Sequence, residues 1–113
     1  MARPNVLMFG DWSWSPRRTA IQSQREDEWL ESIGDHQRVV VVELGAGTAI
    51  PSVRSFSQRT IYEFGGSLVR INPREFDVPG KSDVGIPMGS LEALMGIDAA
   101  LGDMPDEIDL NFT

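Results

Sequence analysis

The sequence predicts an α/β fold, a β-α-β-α-β-α layout with a parallel sheet built by a single domain of 113 residues. Three observations carry that expectation. Short, continuous apolar runs end at glycine or asparagine, as strands buried on both faces do. Segments with apolar residues at helical spacing separate them, and glycine, proline and serine mark the junctions. Alternation of strands and helices implies right-handed crossovers and hence parallel strands.

Taken in order, "NVLMFG" (Asn5 to Gly10) reads as the first strand. The loop "DWSWSPRRTA" follows, with Ser15 and Pro16 suited to the N-cap and first position of a helix. Ile21, Trp29, Leu30 and Ile33 share one side of that helix, and Gly34 is placed to end it. Arg38 to Leu44 contains four consecutive valines, a density of β-branched residues that favours a strand. A second helix is expected from about Pro51 to Phe64, with Val53, Phe56, Thr60, Ile61 and Phe64 inward and Arg54, Gln58, Arg59 and Glu63 largely outward. Gly65 and Gly66 stop it. "SLVRIN" (Ser67 to Asn72) is the third strand, and Pro73 to Gly89 reads as a loop. Ser90 looks like the N-cap of a third helix bearing Leu91, Leu94, Met95 and Leu101 and ending near Gly102. "EIDLNF" alternates Ile108, Leu110 and Phe112, which predicts an extra C-terminal edge strand within the acidic segment 103–113. The layout is half of a doubly wound, three-layer nucleotide fold, a half-Rossmann domain.

Composition narrows the function classes. A formal net charge of −7 argues against nucleic acid as a partner, because neutralising phosphates requires a basic face. There is no cysteine and one histidine, so no metal site is expected. No apolar run is long enough to span a membrane and the N-terminus lacks a signal-peptide core, which predicts a cytoplasmic protein.

The turn "LGAGTAIP" lies where such sheets bind ligands, beyond the carboxyl end of a strand. Gly45 and Gly47 permit close backbone approach, Thr48 supplies a hydroxyl, and the helix near Pro51 offers its N-terminal dipole to an anion. Ile50 stands where a dinucleotide fingerprint has its third glycine, and a tight corner would need the same glycines. From the residues alone, corner and phosphate cradle both stay open. Other residues have bland readings beside functional ones: His36 is a solvated turn residue, Trp12 and Trp14 stack on a base or partner or cover the core, Glu43 is a carboxylate at the cleft mouth or a polar strand-end residue, and Arg54 is a phosphate contact or, by default, a surface arginine.

Four stretches, in order, resemble the sirtuin family of NAD-dependent protein deacylases: "RPNVLMFGD", "VVELGAGTAIPSVR", "VRINPRE" and "GSLEALMGIDAAL". Together they cover about the first hundred residues, and the chain corresponds to the second half of such a Rossmann domain, as a short gene or as a fragment. The resemblance implies that Gly45, Ala46, Gly47 and Thr48 line the phosphate and ribose side of NAD, that Asn72 contacts the adenosine ribose, and that Ser90 and Leu91 lie against adenine. It also implies that Phe9 and Gly10 border an acyl-lysine tunnel. Asp11 departs from the family's glutamate, and "GAG" from its Gly-Thr-Ser.

The family's catalytic histidine, nicotinamide-binding Asn-x-Asp, first glycine-rich loop and zinc cysteines have no counterparts here. No catalytic residue is therefore expected, and the resemblance implies a stand-alone module that binds the adenosine or ADP-ribose part of NAD weakly. The alternatives are a component of a deacylase completed by a complementary sirtuin half, and a structural or interaction domain that has lost its ligand. An apolar first strand left without its neighbour further predicts a homodimer through an exposed sheet edge, using Val6 and Met8 or residues 108–112.

Overall fold

A computed structural model describes residues 4, 6–35 and 37–102 of the chain. The chain divides into two compact units, residues 1–37 and 38–113. His36 and the expected strand at 108–112 lie outside the described residues.

The first unit contains one helix, α1 (Arg17–Glu31). Its N-cap position falls on Pro16 rather than Ser15 and makes no side-chain capping bond. The helix ends three residues before Gly34. Ser32 closes it, donating its hydroxyl to the Trp29 carbonyl at 2.5 Å.

The expected first strand does not form. Val6, Leu7, Met8 and Phe9 are exposed, and their hydrogen bonding is local: Asp11 N–H donates to Met8 O at 3.1 Å, and Gly10 takes φ +70 in a turn. A strand exists only by pairing with another, and a short apolar run does not reveal whether a neighbour is there. The homodimer edge expected at Val6 and Met8 loses its premise with that strand.

The second unit is α/β with a three-stranded parallel sheet, consistent with a small half-Rossmann layout. Its elements are β1 (Val40–Leu44), α2 (Ser52–Phe64), β2 (Ser67–Ile71), β3 (Val84–Ile86) and α3 (Ser90–Gly102), with strand order β1-β2-β3. Ser67 N–H donates to Val39 O at 3.0 Å and Gly45 N–H to Ile71 O at 2.9 Å, so the β1–β2 ladder is bonded beyond both ends. Asn72 N–H donates to Ile86 O at 3.1 Å and ties β2 to β3 at the same edge.

The stretch Pro73 to Gly89, expected as loop, therefore contains the third strand. Its three residues are too few to show a period. Tertiary contacts define it. Asp83 accepts Leu68 N–H and Gly80 N–H, each at 2.8 Å, which fixes the entry, and a Cβ at Gly85 would overlap the Phe76 carbonyl oxygen. Only glycine fits there.

Helix α2 ends at Gly65 in the left-handed conformation, as the paired glycines predict. Its buried side differs from the expected one. Arg54, Ser57 and Thr60 are buried, Phe56, Ile61 and Phe64 are half-buried, and Val53 is exposed. The sheet surface beneath explains the rotation, because it carries a buried charge pair. Among the described residues, Leu68, Ile71 and Ala93 are the buried apolar ones.

Candidate functional site

In a parallel sheet all strands end at one edge, so the turn after β1, the loop after β2 and the start of α3 after β3 share it. The β1–α2 turn begins at Gly45, whose φ of +65 a side chain would strain. Ala46 follows, and its carbonyl accepts two side-chain bonds, from Arg54 Nε at 2.9 Å and Asn72 Nδ2 at 3.2 Å. Asn72 is buried, and its Oδ1 accepts Arg74 N–H and Glu75 N–H, each at 2.9 Å. The same amide thus holds the turn after β1 and shapes the loop after β2.

That loop delivers Glu75 to the turn. The Glu75 carboxylate accepts Thr48 N–H on Oε2 at 3.2 Å and the Thr48 hydroxyl on Oε1. A Cβ at Gly47 would lie 3.2 Å from Oε2. Arg54 Nη2 donates to the Glu75 carbonyl. The two Thr48 bonds, with the nearby Arg54 charge, hold the Glu75 carboxyl below the usual carboxylate range. An internal anion therefore sits on the turn that leads into α2.

Of the residues expected to form the site, Gly45, Ala46, Gly47, Thr48 and Asn72 come together. Ser90 and Leu91 open α3 at the same edge of the sheet, with Ser90 half-buried inside the helix rather than capping it and Leu91 exposed. Phe9 and Gly10 belong to the other unit, where Phe9 is fully exposed.

Arg54 corrects the expectation of a surface side chain: it is buried and pins two loops by their carbonyls. Glu43 corrects the expectation of a polar strand end. It is 2% exposed and faces Arg70, also 2% exposed, its register partner on β2. Arg70 Nε donates to Glu43 Oε1 at 2.6 Å and Nη2 to Oε2 at 3.2 Å, while Nη1 donates to Asp77 O at 2.6 Å. Burial pushes the Glu43 carboxyl up; hydrogen bonds from Arg70 and Ser57 and the charges of Arg70 and Arg54 outweigh it, so the group stays ionised below its ordinary range.

Arg70 and Glu75 were not foreseen as site residues. A signal for the first was present: "VVVEL" and "SLVRI" each hold one charge, of opposite sign, at the fourth position of an otherwise apolar or neutral strand. Parallel register sets those positions side by side. For Glu75 no local signal exists, since a loop 27 residues downstream of Thr48 supplies it.

Among the described residues, no group of three or more His, Cys, Asp or Glu side chains is placed to hold a metal ion, and no helix is long and apolar enough to cross a membrane. Comparisons with protein-family models, with curated proteins and with solved structures gave no match.

Proposed function

We propose that the chain is a nucleotide-binding module, sirtuin-like in its sequence pattern, that takes the adenosine or ADP-ribose part of NAD at the carboxyl edge of the sheet and is not catalytic by itself. The observation that carries this reading is the Glu75 carboxylate on Thr48. A backbone N–H and a hydroxyl from one residue meet the two oxygens of one anion in the turn between β1 and α2, which is bonding that a phosphate oxygen pair can accept equally.

A phosphate would have to displace Glu75, because two anions cannot share those donors. Affinity is accordingly weak, in the millimolar to high-micromolar range, about −4 to −6 kcal/mol. The Asn72 amide, already committed to Ala46 and to the 72–75 loop, supports the site by holding the turn.

Titration with ADP-ribose, AMP and NAD, followed by amide chemical shifts, tests the proposal. Gly45, Gly47, Thr48 and Ser90 should shift, and Glu75→Gln should bind ADP-ribose at least about threefold more tightly, since it removes the competing charge. No shift at millimolar nucleotide, in the wild type and in Glu75→Gln alike, would defeat the reading. The pure chain should not deacylate an acetyl-lysine peptide with NAD; activity that appears only with a complementary chain would favour the enzyme-component alternative. The reading as an interaction domain draws on a different observation, the exposed aliphatic residues of the sheet.

A further inference from the structure

The loop after β2 carries Arg74 on a fixed bracket. Pro73 restricts the backbone before it, Asn72 Oδ1 accepts its N–H at 2.9 Å, and the next residue, Glu75, is held by Thr48 through its carboxylate and by Arg54 through its carbonyl. The Arg74 side chain itself is exposed, and its guanidinium has no hydrogen bond or ion pair among the described residues. A loop pinned on both sides thus presents a free guanidinium at the carboxyl edge of the sheet.

Two carboxylates share the loop with it. Glu75 is bound to Thr48, and Asp77 is tied by its carbonyl to Arg70. In a β-α-β nucleotide unit the adenosine ribose lies against the loop that follows the second strand; a carboxylate there bonds the 2′-hydroxyl, whereas an arginine there meets a 2′-phosphate. Here Glu75 is committed to the corner and Arg74 is free. Reach allows both contacts at once. The Glu75 side chain spans from its Cα to Thr48, and Arg74, one Cα step of about 3.8 Å away, has the longer side chain. A phosphate on Thr48 therefore leaves Arg74 within reach of the ribose attached to it.

We propose that the site takes adenine nucleotides whose ribose carries a phosphate on its 2′-hydroxyl, with Arg74 as the group that binds this phosphate and sets the preference over the unphosphorylated nucleotide. The proposal rests on the nucleotide-binding reading and names the substrate class of the same site. A planar guanidinium donates in pairs to phosphate oxygens, and a second phosphate contact offsets the cost of displacing Glu75 from Thr48. The formal net charge of −7 repels a bisphosphate in general, so a preference for one has to come from a local cation.

Titrating the full chain and its Glu75→Gln variant with 5′-AMP, adenosine 2′,5′-bisphosphate and adenosine 3′,5′-bisphosphate, followed by amide chemical shifts, tests this. The 2′,5′-bisphosphate should bind at least about fivefold more tightly than 5′-AMP at low salt, and the ratio should shrink as salt rises. Arg74→Met should bring the two affinities within about twofold, and Arg74→Lys should keep part of the preference, because an ammonium supplies the charge without the fork. Neither substitution removes the N–H bond to Asn72, so thermal unfolding should not move. Equal binding of 5′-AMP and the 2′,5′-bisphosphate would overturn the proposal and leave the nucleotide-binding reading standing, whereas no binding of any of the three, in the wild type and in Glu75→Gln alike, would remove both. A preference that survives Arg74→Met, or one for the 3′,5′ isomer, would overturn it too. So would rejection of the bisphosphate in favour of 5′-AMP, which would mean that the displaced Glu75 carboxylate turns to the ribose hydroxyls.

Discussion

The two faces of one sheet are built on opposite principles. Toward α2 the sheet presents Glu43 and Arg70, and the helix answers with Arg54, Ser57 and Thr60, so a polar set is buried and bonded. No buried side-chain nitrogen or oxygen among the described residues lacks a partner. On the far face Ile71 is fully buried, while Val40, Val42, Leu44 and Val84 are about half exposed. The difference teaches that burial in this chain follows pairing rather than hydropathy. An ionic network closes the inner face within the molecule. The outer face offers apolar contact alone, which covers Ile71 and leaves the β1 side chains about half exposed.

The largest expected effect comes from breaking the inner pair. Arg70→Met leaves the Glu43 carboxylate buried without its partner and should cost about 3 to 5 kcal/mol in denaturant unfolding, while Glu43→Leu with Arg70→Met should recover most of that loss. A double mutant no better than Arg70→Met would mean that the bond from Arg70 to the Asp77 carbonyl, not the ion pair, holds the face.

The same pair sets an acid response. Glu43 and Glu75 have folded-state values below their unfolded ones, so their contributions are complete above the unfolded carboxylate range, near pH 4.3, and fade as pH falls through the lowered folded values. Melting temperature should be flat near neutrality and drop in that acid window, and Glu43→Gln should shallow the drop while lowering the neutral value. An unchanged profile would remove Glu43 from the account.

Truncation compares the faces directly. Leu68 is fully buried on the inner face, and Leu68→Ala should cost about 2 to 4 kcal/mol. Val42→Ala on the outer face, measured on the monomer, should cost less than about 1 kcal/mol, because half the side chain already meets water. Similar costs at the two sites would show that the outer face is covered within the monomer.

The smallest effect belongs to the strand-end edge, where bonds are made in solvent. Thr48→Val removes the hydroxyl bond to Glu75 and should lower stability by no more than about 1 kcal/mol in thermal unfolding. A larger loss would give that edge a structural weight comparable with the inner pair.

Much of the frame is legible in the sequence. The valine run at Val39 to Val42 and the stretch "SLVRIN" at Ser67 to Asn72 mark strands, helical spacing marks α2, and Gly65 and Gly66 mark its end, because those signals depend on neighbours along the chain. β3 and the run at Val6 to Phe9 show the limit. Three residues with no periodicity became a strand because β2 and Asp83 hold them, and four apolar residues did not because none of the described strands pairs with them.

The turn after β1 divides in the same way. Gly45 and Thr48 could be picked out locally as an anion-accepting corner, but that the corner already holds a carboxylate depends on where the loop after β2 returns. By itself the sequence determined the class of fold, the parallel sheet, and the place of the Gly45 to Thr48 turn at its carboxyl edge, since period, chirality and turn chemistry are local properties. Only the tertiary structure decided that Glu43 meets Arg70, that Arg54 turns inward, and that one sheet face buries an ion pair while the other buries Ile71 and leaves Val40, Val42 and Leu44 about half exposed. Those outcomes depend on register between strands and on the rotation of a helix about its axis, and no stretch of neighbouring residues encodes either one.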